Sequence, residues 1–482
     1  MAEELLDIHL TLMMPEILVA VMAMVLLLLS AWTHRGGTGV VHWLTILTIG
    51  AVILVLQAGE GAAATFAGQF VIDDFARYMK ILMCLGMIFP IIMSLDYFRG
   101  HAMDGGEYHV VALFALLGGM IMVSSGGFLI LYLGVELMSL SFYVLAAWRR
   151  DDVQSGEAGL KYFILGSVAS GLLLYGISMI YGVTGAVSFR EVAAFMGSPA
   201  GHANQLLSLG VVMILAGMGF KVAAVPFHMW APDVYQGAPT PVTVFMSVMP
   251  KVASIAVLLR ILMEVFVVQH AQWVPIVQLF AVLSMGVGAF AGLVQTNIKR
   301  LLAYSSISHV GYMFIGLVTN TQAGVQGVLV YLTIYLVMTM GAFGIILSFD
   351  RQGLGEKISD YQGLAHKQPL MAFVMAMFMF SMAGIPPLAG FIGKLNIFMA
   401  AVKADMVPLA VAGVLFSAIG AYYYLRVVKV MYFDLPEGSF KVSVSGGGFL
   451  IVTLSLFLTF LWGILPGDLL AWTGAGVMVF HH

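Results

Sequence analysis

Charge is what this sequence has least of. Asp, Glu, Lys and Arg together occupy 9% of its 482 positions, where soluble domains carry about 25%. So little polar side chain cannot cover a water-facing surface, and a soluble domain is excluded. Cysteine is nearly absent. Cys84 stands alone, which rules out an intrachain disulfide, a CxxC pair and a thiolate set for an iron–sulfur cluster. The net charge of −3 is spread along the chain and offers no basic surface to nucleic acid. There is no P-loop and no dinucleotide fingerprint, and no His/Cys/Asp/Glu cluster has metal-ligand spacing. The opening segment MAEELLDIHL is acidic where a secretory signal needs positive charge, so no cleavable signal is expected.

What is present is hydrophobicity: 61% of positions, arranged in long unbroken runs. Such runs specify an all-α polytopic membrane protein, because barrel strands would alternate over about ten residues. A span needs about 20 apolar residues. By that rule about fourteen spans are expected, near 12–32, 40–58, 74–95, 109–126, 128–148, 159–183, 205–229, 240–265, 273–294, 302–319, 324–348, 369–400, 406–431 and 446–465. The longest hydrophilic stretches, 96–108, 184–204 and 349–368, are too short for a soluble domain, so 1–482 reads as one membrane domain. Its 34 methionines and many glycines read as helix packing. The first span opens on Pro15 and Glu16, an ordinary helix start, and Glu16 reads as a first-turn acid.

Loop charge alternates. One set of loops carries Arg35, Arg99, Arg149, Arg150, Lys299, Arg300, Arg351, Lys357, Lys367, Lys429 and Lys441; the other carries little beyond Arg190 and Lys403. The positive-inside rule assigns the first set to the cytoplasm and both termini to the opposite side.

A few charges lie inside spans: Glu136 in LYLGVELMSLSF, Lys221 in GMGFKVAAVPF, Lys251 in SVMPKVASIAVL and Lys394 in PPLAGFIGKLNIF. Each unpaired one costs about 2.5–3.5 kcal/mol on insertion scales. Buried salt bridges are the structural explanation, but three lysines outnumber the one obvious carboxylate. The functional explanation is proton handling. Burial disfavours a charged amine and a nearby carboxylate favours it, so a lysine whose distance to a carboxylate changes is a proton switch.

Two of these lysines adjoin helix breakers. Pro226 follows Lys221, and Gly384, Pro386 and Pro387 precede Lys394. Non-helical backbone at membrane depth is tolerated only inside protein or beside a wet cavity. Paired interrupted helices point to an approximate internal repeat in a transporter. His228 is seven residues past Lys221 and would share its face in an unbroken helix. His309, in AYSSISHVGYMF, lies between the two lysine segments among Ser305, Ser306, Ser308 and Tyr312. It is either a hydrogen-bonded core histidine or a proton carrier.

FKVAAVPFHMWAPDVYQGAPTPVTVF (220–245), QTNIKRLLAYSSISHVGYMFIGL (295–317), LAGFIGKLNIF (388–398) and GAYYYLRVVKVMYF (420–433) closely resemble the subunit N family of bacterial proton-pumping NADH–quinone oxidoreductase, counterpart of mitochondrial subunit 2 of respiratory complex I. The resemblance covers nearly the whole chain. It implies two inverted five-helix repeats, with broken helices at the seventh and twelfth spans. The implied divisions are an N-terminal three-helix segment (1–108), a first repeat (109–266), a second, inverted repeat (267–432) and a C-terminal helix (433–482). It implies a proton relay: Glu136 pairs with Lys221, Lys251 passes protons to the centre, His309 stands there, and Lys394 lies at the far end. Lys161 falls where the family often has a lysine, although simple snorkelling explains it equally. Where the family usually has a small or polar residue before the eighth-span lysine, this chain has Pro250, and a proline there could bend the helix and re-aim Lys251.

The resemblance further implies a non-redox, proton-translocating subunit of an enzyme complex in the bacterial cytoplasmic (inner) membrane. It would hold no cofactor itself; NADH, FMN, iron–sulfur clusters and quinone belong to partner subunits. Its neighbours would be antiporter-like subunit M, small membrane subunits and lipid, with the peripheral redox arm acting indirectly. The alternatives are a stand-alone Mrp-type cation/proton antiporter subunit and a passive scaffold whose buried charges are structural only.

Overall fold

The structure, a computed structural model, describes residues 9–33, 38–101, 106–202, 204–350, 353–436 and 446–477. Arg35, Arg351 and Lys441 of the loop pattern lie outside the described residues. Three helices form the N-terminal segment: α1 (Met14–Thr33), α2 (Thr38–Ala58) and α3 (Asp74–Gly100). An antiparallel hairpin, β1 (Ala63–Thr65) and β2 (Phe70–Ile72), joins the last two, with Ala64 opposite Val71. Then come α4 (Gly106–Val123), α5 (Phe128–Ala146), α6 (Val153–Thr184), the short α7 (Phe189–Met196) and α8 (Pro199–His202), α9 (Gln205–Val222), α10 (Trp230–Gly237) and α11 (Thr240–Arg260). The second half holds α12 (His270–Leu293), α13 (Ile298–Val318), α14 (Gln322–Asp350), α15 (Leu364–Lys367), α16 (Pro369–Ala383), α17 (Ala389–Lys403) and α18 (Val407–Phe433). Last are α19 (Gly446–Ile464) and α20 (Gly467–Val477), so the C-terminal segment carries a short second helix, after Pro466, beyond the one expected.

Among the described residues, thirteen helical segments are long and apolar enough to cross a membrane. The remaining expected span, 369–400, is divided between α16 and α17, each of 15 residues. The expected span 205–229 also stops short. Its helix ends at Val222, where Ala223 takes φ +60° and the backbone leaves the helical path. Polar caps start several helices. Asp73, Asp152, Asn204 and Asn297 each accept a backbone N–H from the first turn that follows, satisfying donors that a helix leaves orphaned.

Burial runs opposite to a soluble protein's ordering of the same residues. The central α11 is buried along its whole length, and α14 along nearly all of its own beyond Ala323. The outer helices expose Leu28, Leu47, Leu133, Val168, Leu415 and Phe457. Apolar residues face outward at no cost when the solvent is lipid. At one end of the bundle, Arg149 bonds the Tyr97 hydroxyl, Arg300 bonds Asp233 and Asn297 bridges Lys357. These contacts gather the end of α3, the α5–α6 loop and the starts of α10 and α13 on the side that the loop-charge rule assigns to the cytoplasm.

Candidate functional site

Lys221 occupies the last turn of α9 and is 3% exposed. Its Nζ donates to Ser139 Oγ at 2.8 Å and Ser170 Oγ at 3.3 Å, and lies 6.0 Å from the centroid of the Tyr143 ring. Ser139 is on α5 and Ser170 on α6, so three helices converge on one ammonium group. The C-terminal end of a helix favours a cation, which explains in part how a lysine is tolerated there. Glu136, one turn before Ser139 on α5, makes no ion pair with Lys221. It is half-buried, and its Oε1 has no hydrogen-bond partner. It is close enough to act on Lys221 through its charge. The expected pairing is thus electrostatic, across a gap, with serine hydroxyls in direct contact.

His228 falls in the non-helical stretch between α9 and α10. The break that sequence alone located at Pro226 therefore removes it from the face of Lys221. It is half-buried, with Nδ1 lacking a partner.

The α-helix α11 runs uninterrupted from Thr240 to Arg260 with Pro250 inside it. Lys251, 2% exposed, donates to the Tyr235 hydroxyl at 2.5 Å. Nearby, the Tyr335 hydroxyl meets Ser306 Oγ at 2.6 Å and donates to the Ser247 carbonyl at 3.1 Å. His309 is 1% exposed, with Nδ1 2.6 Å from the Tyr331 hydroxyl and Nε2 3.2 Å from that of Tyr424. Its ring centroid is 5.3 Å from Tyr335 on one side and 6.1 Å from Tyr312 on another. Lys394 lies 5.1 Å from the Tyr312 ring centroid.

Lys394 shows what the second break does. α16 ends at Ala383, followed by Gly384 at φ +89°, a left-handed conformation that suits glycine. The truncated helix leaves carbonyls without partners. Lys394 Nζ, reaching back from α17, donates to the carbonyls of Met382 at 3.0 Å and Ala383 at 2.9 Å, and to Ser417 Oγ at 2.8 Å. A side chain on Gly384 would press on the lysine, because its Cβ would lie 3.1 Å from Nζ. Both breaks also contain a cis peptide, Val225–Pro226 and Pro386–Pro387.

Three lysines and a histidine therefore each meet at least one hydroxyl. Lys251 and Lys394 both act on His309 through their charges. Sequence reasoning found the charged members and missed most of the tyrosines: Tyr235, Tyr331, Tyr335 and Tyr424 sit in three different helices, and only Tyr331 and Tyr335, one turn apart on α14, are related by local spacing.

Lys161 belongs elsewhere. Its side chain is 42% exposed, and it pairs with Glu157 at 2.6 Å and Asp233 at 2.8 Å. Asp233 also receives Arg300 at 2.5 Å. Burial would raise the Asp233 carboxyl, but the hydrogen bonds from Lys161 and Arg300 outweigh it and hold the carboxyl below its ordinary value.

Two buried pairs escaped the sequence. Glu16 does stand in the first turn of α1, but it is no plain first-turn acid. It is 2% exposed and lies 2.5 Å from Lys80, which is fully buried on α3. Asp73, the α3 cap, receives Arg260 at 2.9 Å, both fully desolvated. The missed signal is an acid at one span start and a lysine about two turns inside another.

A bundle with two interrupted helices and three buried lysines set against hydroxyls is that of an antiporter-like membrane protein, and the transmembrane family described as NADH:quinone oxidoreductase/Mrp antiporter matches residues 125–420. More narrowly, the chain belongs to the subunit N family of NADH-quinone oxidoreductase. It is 54% identical to NADH-quinone oxidoreductase subunit N of Magnetococcus marinus over 475 residues, covering 98% of each chain. It is 47% identical to that of Paramagnetospirillum magneticum over 471 residues, 97% of each. A chain of respiratory complex I from Thermus thermophilus, solved with bound aureothin, superposes with a TM-score of 0.81 at 32% identity, over 96% of this chain and 100% of that one. A chain of the Mrp complex from a Dietzia species superposes at 0.83 with 20% identity, covering 96% of each chain, which shows a shared fold.

Proposed function

We propose that this chain carries protons across the bacterial cytoplasmic membrane as part of a proton-pumping NADH–quinone oxidoreductase. The relay runs over Glu136, Lys221, Lys251, His309 and Lys394. The observation that supports it is that the three relay lysines sit in the apolar interior against hydroxyls and carbonyls, with no counter-ion in contact among the described residues. Such a group exchanges its proton without stranding a partner charge.

Glu136 sets the state of Lys221. An approaching carboxylate favours a bound proton and a receding one favours release. Moving a carboxylate from about 4 Å to about 8 Å changes the interaction by about 2 kcal/mol at an effective dielectric constant of about 20. Carrying one charge across 100 mV takes about 2.3 kcal/mol, so a stroke of that size supplies energy of the same order. The push originates in partner subunits, which bind NADH, FMN, iron–sulfur clusters and quinone; this chain contributes no redox chemistry. Antiporter-like subunit M and small membrane subunits cover its sides, and both termini face away from the cytoplasm. The identity to subunit N relatives favours this reading over a stand-alone Mrp-type antiporter, which shares only the fold.

The test is paired measurement of turnover and proton pumping in membranes carrying Lys221→Ala, with assembly of the complex checked on the same preparation. Loss of both activities in an assembled complex is expected. Retention of both means that the buried charges are structural and the chain is a scaffold.

A further inference from the structure

On the face that gathers Arg149, Lys299 and Arg300, a polar cleft of about 210 Å3 opens among Gln154, Glu157, Lys161, Asp233, Gln236 and Arg300. Asp233 ties Lys161 of α6 to Arg300 of α13 across it. Ala158 lines the cleft from α6. One turn deeper on that helix, Tyr162 stacks on Trp230, with centroids 4.4 Å apart and planes 12° apart. The next turn brings Gly166 and the one after it Ser170, which holds Lys221. The cleft and Lys221 are thus separated by about three helical turns of α6 and closed by a pair of stacked rings.

One polar group occupies that interval. Tyr143 lies on α5 one turn toward the cleft from Ser139, is 6% exposed, and sits 4.8 Å from Tyr162 by centroids. Its hydroxyl adjoins the Ser139 and Ser170 hydroxyls, yet it makes no hydrogen bond of normal geometry. A buried hydroxyl without a partner costs about 1–3 kcal/mol, and such an orphan calls for an explanation. Its position is built in, since a side chain at Gly166 would collide with that hydroxyl. The rings beside it are attached to the relay. The Trp230 indole N–H donates to the Phe220 carbonyl at 3.0 Å, one residue before Lys221.

Resting on the relay reading above, we propose that Tyr143 passes protons between the charged cleft and Lys221, and that the Tyr162–Trp230 stack is a plug that opens when the end of α9 moves. When Lys221 is a free amine, the Tyr143 hydroxyl gives its proton by way of Ser139 or Ser170 to the amine nitrogen. At the same moment its oxygen takes a proton from a hydronium ion on the cleft side, which is left as water. One O–H bond breaks as another forms, the tyrosine ends unchanged, and the positive charge has moved inward. Because Trp230 hangs from Phe220, a shift of Lys221 relative to Glu136 also shifts the plug, so the path opens in step with the charge it serves.

The experiment uses inside-out membrane vesicles containing the assembled complex, with NADH:quinone turnover, proton pumping and passive proton leak measured for Tyr143→Phe, Tyr143→His, Trp230→Ala and Lys221→Ala. Tyr143→Phe is expected to slow pumping about 100-fold at the proton-transfer step. Tyr143→His, which restores a proton-carrying group, recovers part of the rate and moves its pH profile. Trp230→Ala is expected to raise the passive leak while turnover continues. If Tyr143→Phe pumps normally while Lys221→Ala does not, the relay stands and the role of Tyr143 is overturned. If Tyr143→Phe fails to assemble, Trp230→Ala decides: a leak no greater than in the unmodified complex overturns the plug and the path behind it. Normal pumping by Lys221→Ala would sink the relay reading itself.

Discussion

The buried ion pairs of the N-terminal segment and the surroundings of the three relay lysines handle buried charge in opposite ways. In the first, Glu16 and Lys80 touch at 2.5 Å, and Arg260 closes on Asp73 at 2.9 Å. In the second, Lys221, Lys251 and Lys394 face Ser139 and Ser170, Tyr235, and Ser417 with two carbonyls. A contact pair locks both charges, since neutralising either partner alone leaves the other buried without a counter-ion. A lysine against hydroxyls is held in place without being held in one charge state, because a hydroxyl both donates and accepts. The same cost of burial produces a clamp in one region and a carrier in the other. What differs is whether a carboxylate is in contact or stands off, as Glu136 does.

The largest effect is expected where the pair is broken. Lys80→Ala leaves Glu16 buried alone and costs about 3–5 kcal/mol, whereas replacing both partners by Leu and Met is close to neutral. Thermal unfolding of the purified complex measures both, and a double variant that pumps at the normal rate confirms the clamp as structural. Next comes the open site. Lys221→Met, similar in volume, is expected to preserve assembly and lower pumping about 100-fold, the scale of a missing proton-transfer group. A variant that pumped normally would erase the distinction between the two regions. Tyr235→Phe removes the hydroxyl facing Lys251 and should cost about 1.5 kcal/mol, near tenfold in rate, as one hydrogen bond to a charged group does. The smallest effect is at the exposed clamp. Asp233→Asn should change thermal stability by less than about 1 kcal/mol, as solvent-screened pairs do.

Much of this was legible before any coordinates. Composition alone excluded a soluble domain, because 9% charged residues cannot cover a surface in water. Apolar run length located the spans, since a helix must cross a fixed thickness of hydrocarbon. Pro226 and the Gly384–Pro387 stretch marked both interruptions, because proline removes a helical hydrogen bond wherever it sits. The four buried charges stood out from their apolar flanks for the same reason that they are costly.

Tertiary structure decided everything that depends on which helices meet. It separated Glu136 from Lys221, took His228 off the helix, and held Pro250 within the helix that carries Lys251. It placed Lys161 on an exposed cleft and revealed Glu16 and Lys80 as a buried couple. It also gathered Tyr235, Tyr331, Tyr335 and Tyr424, dispersed over nearly 200 residues of sequence, around His309 and Lys251. Local pattern reports what a residue costs to bury. Only the packing of distant helices supplies the partner that meets that cost, and the partner determines whether a charge is fixed or free to move.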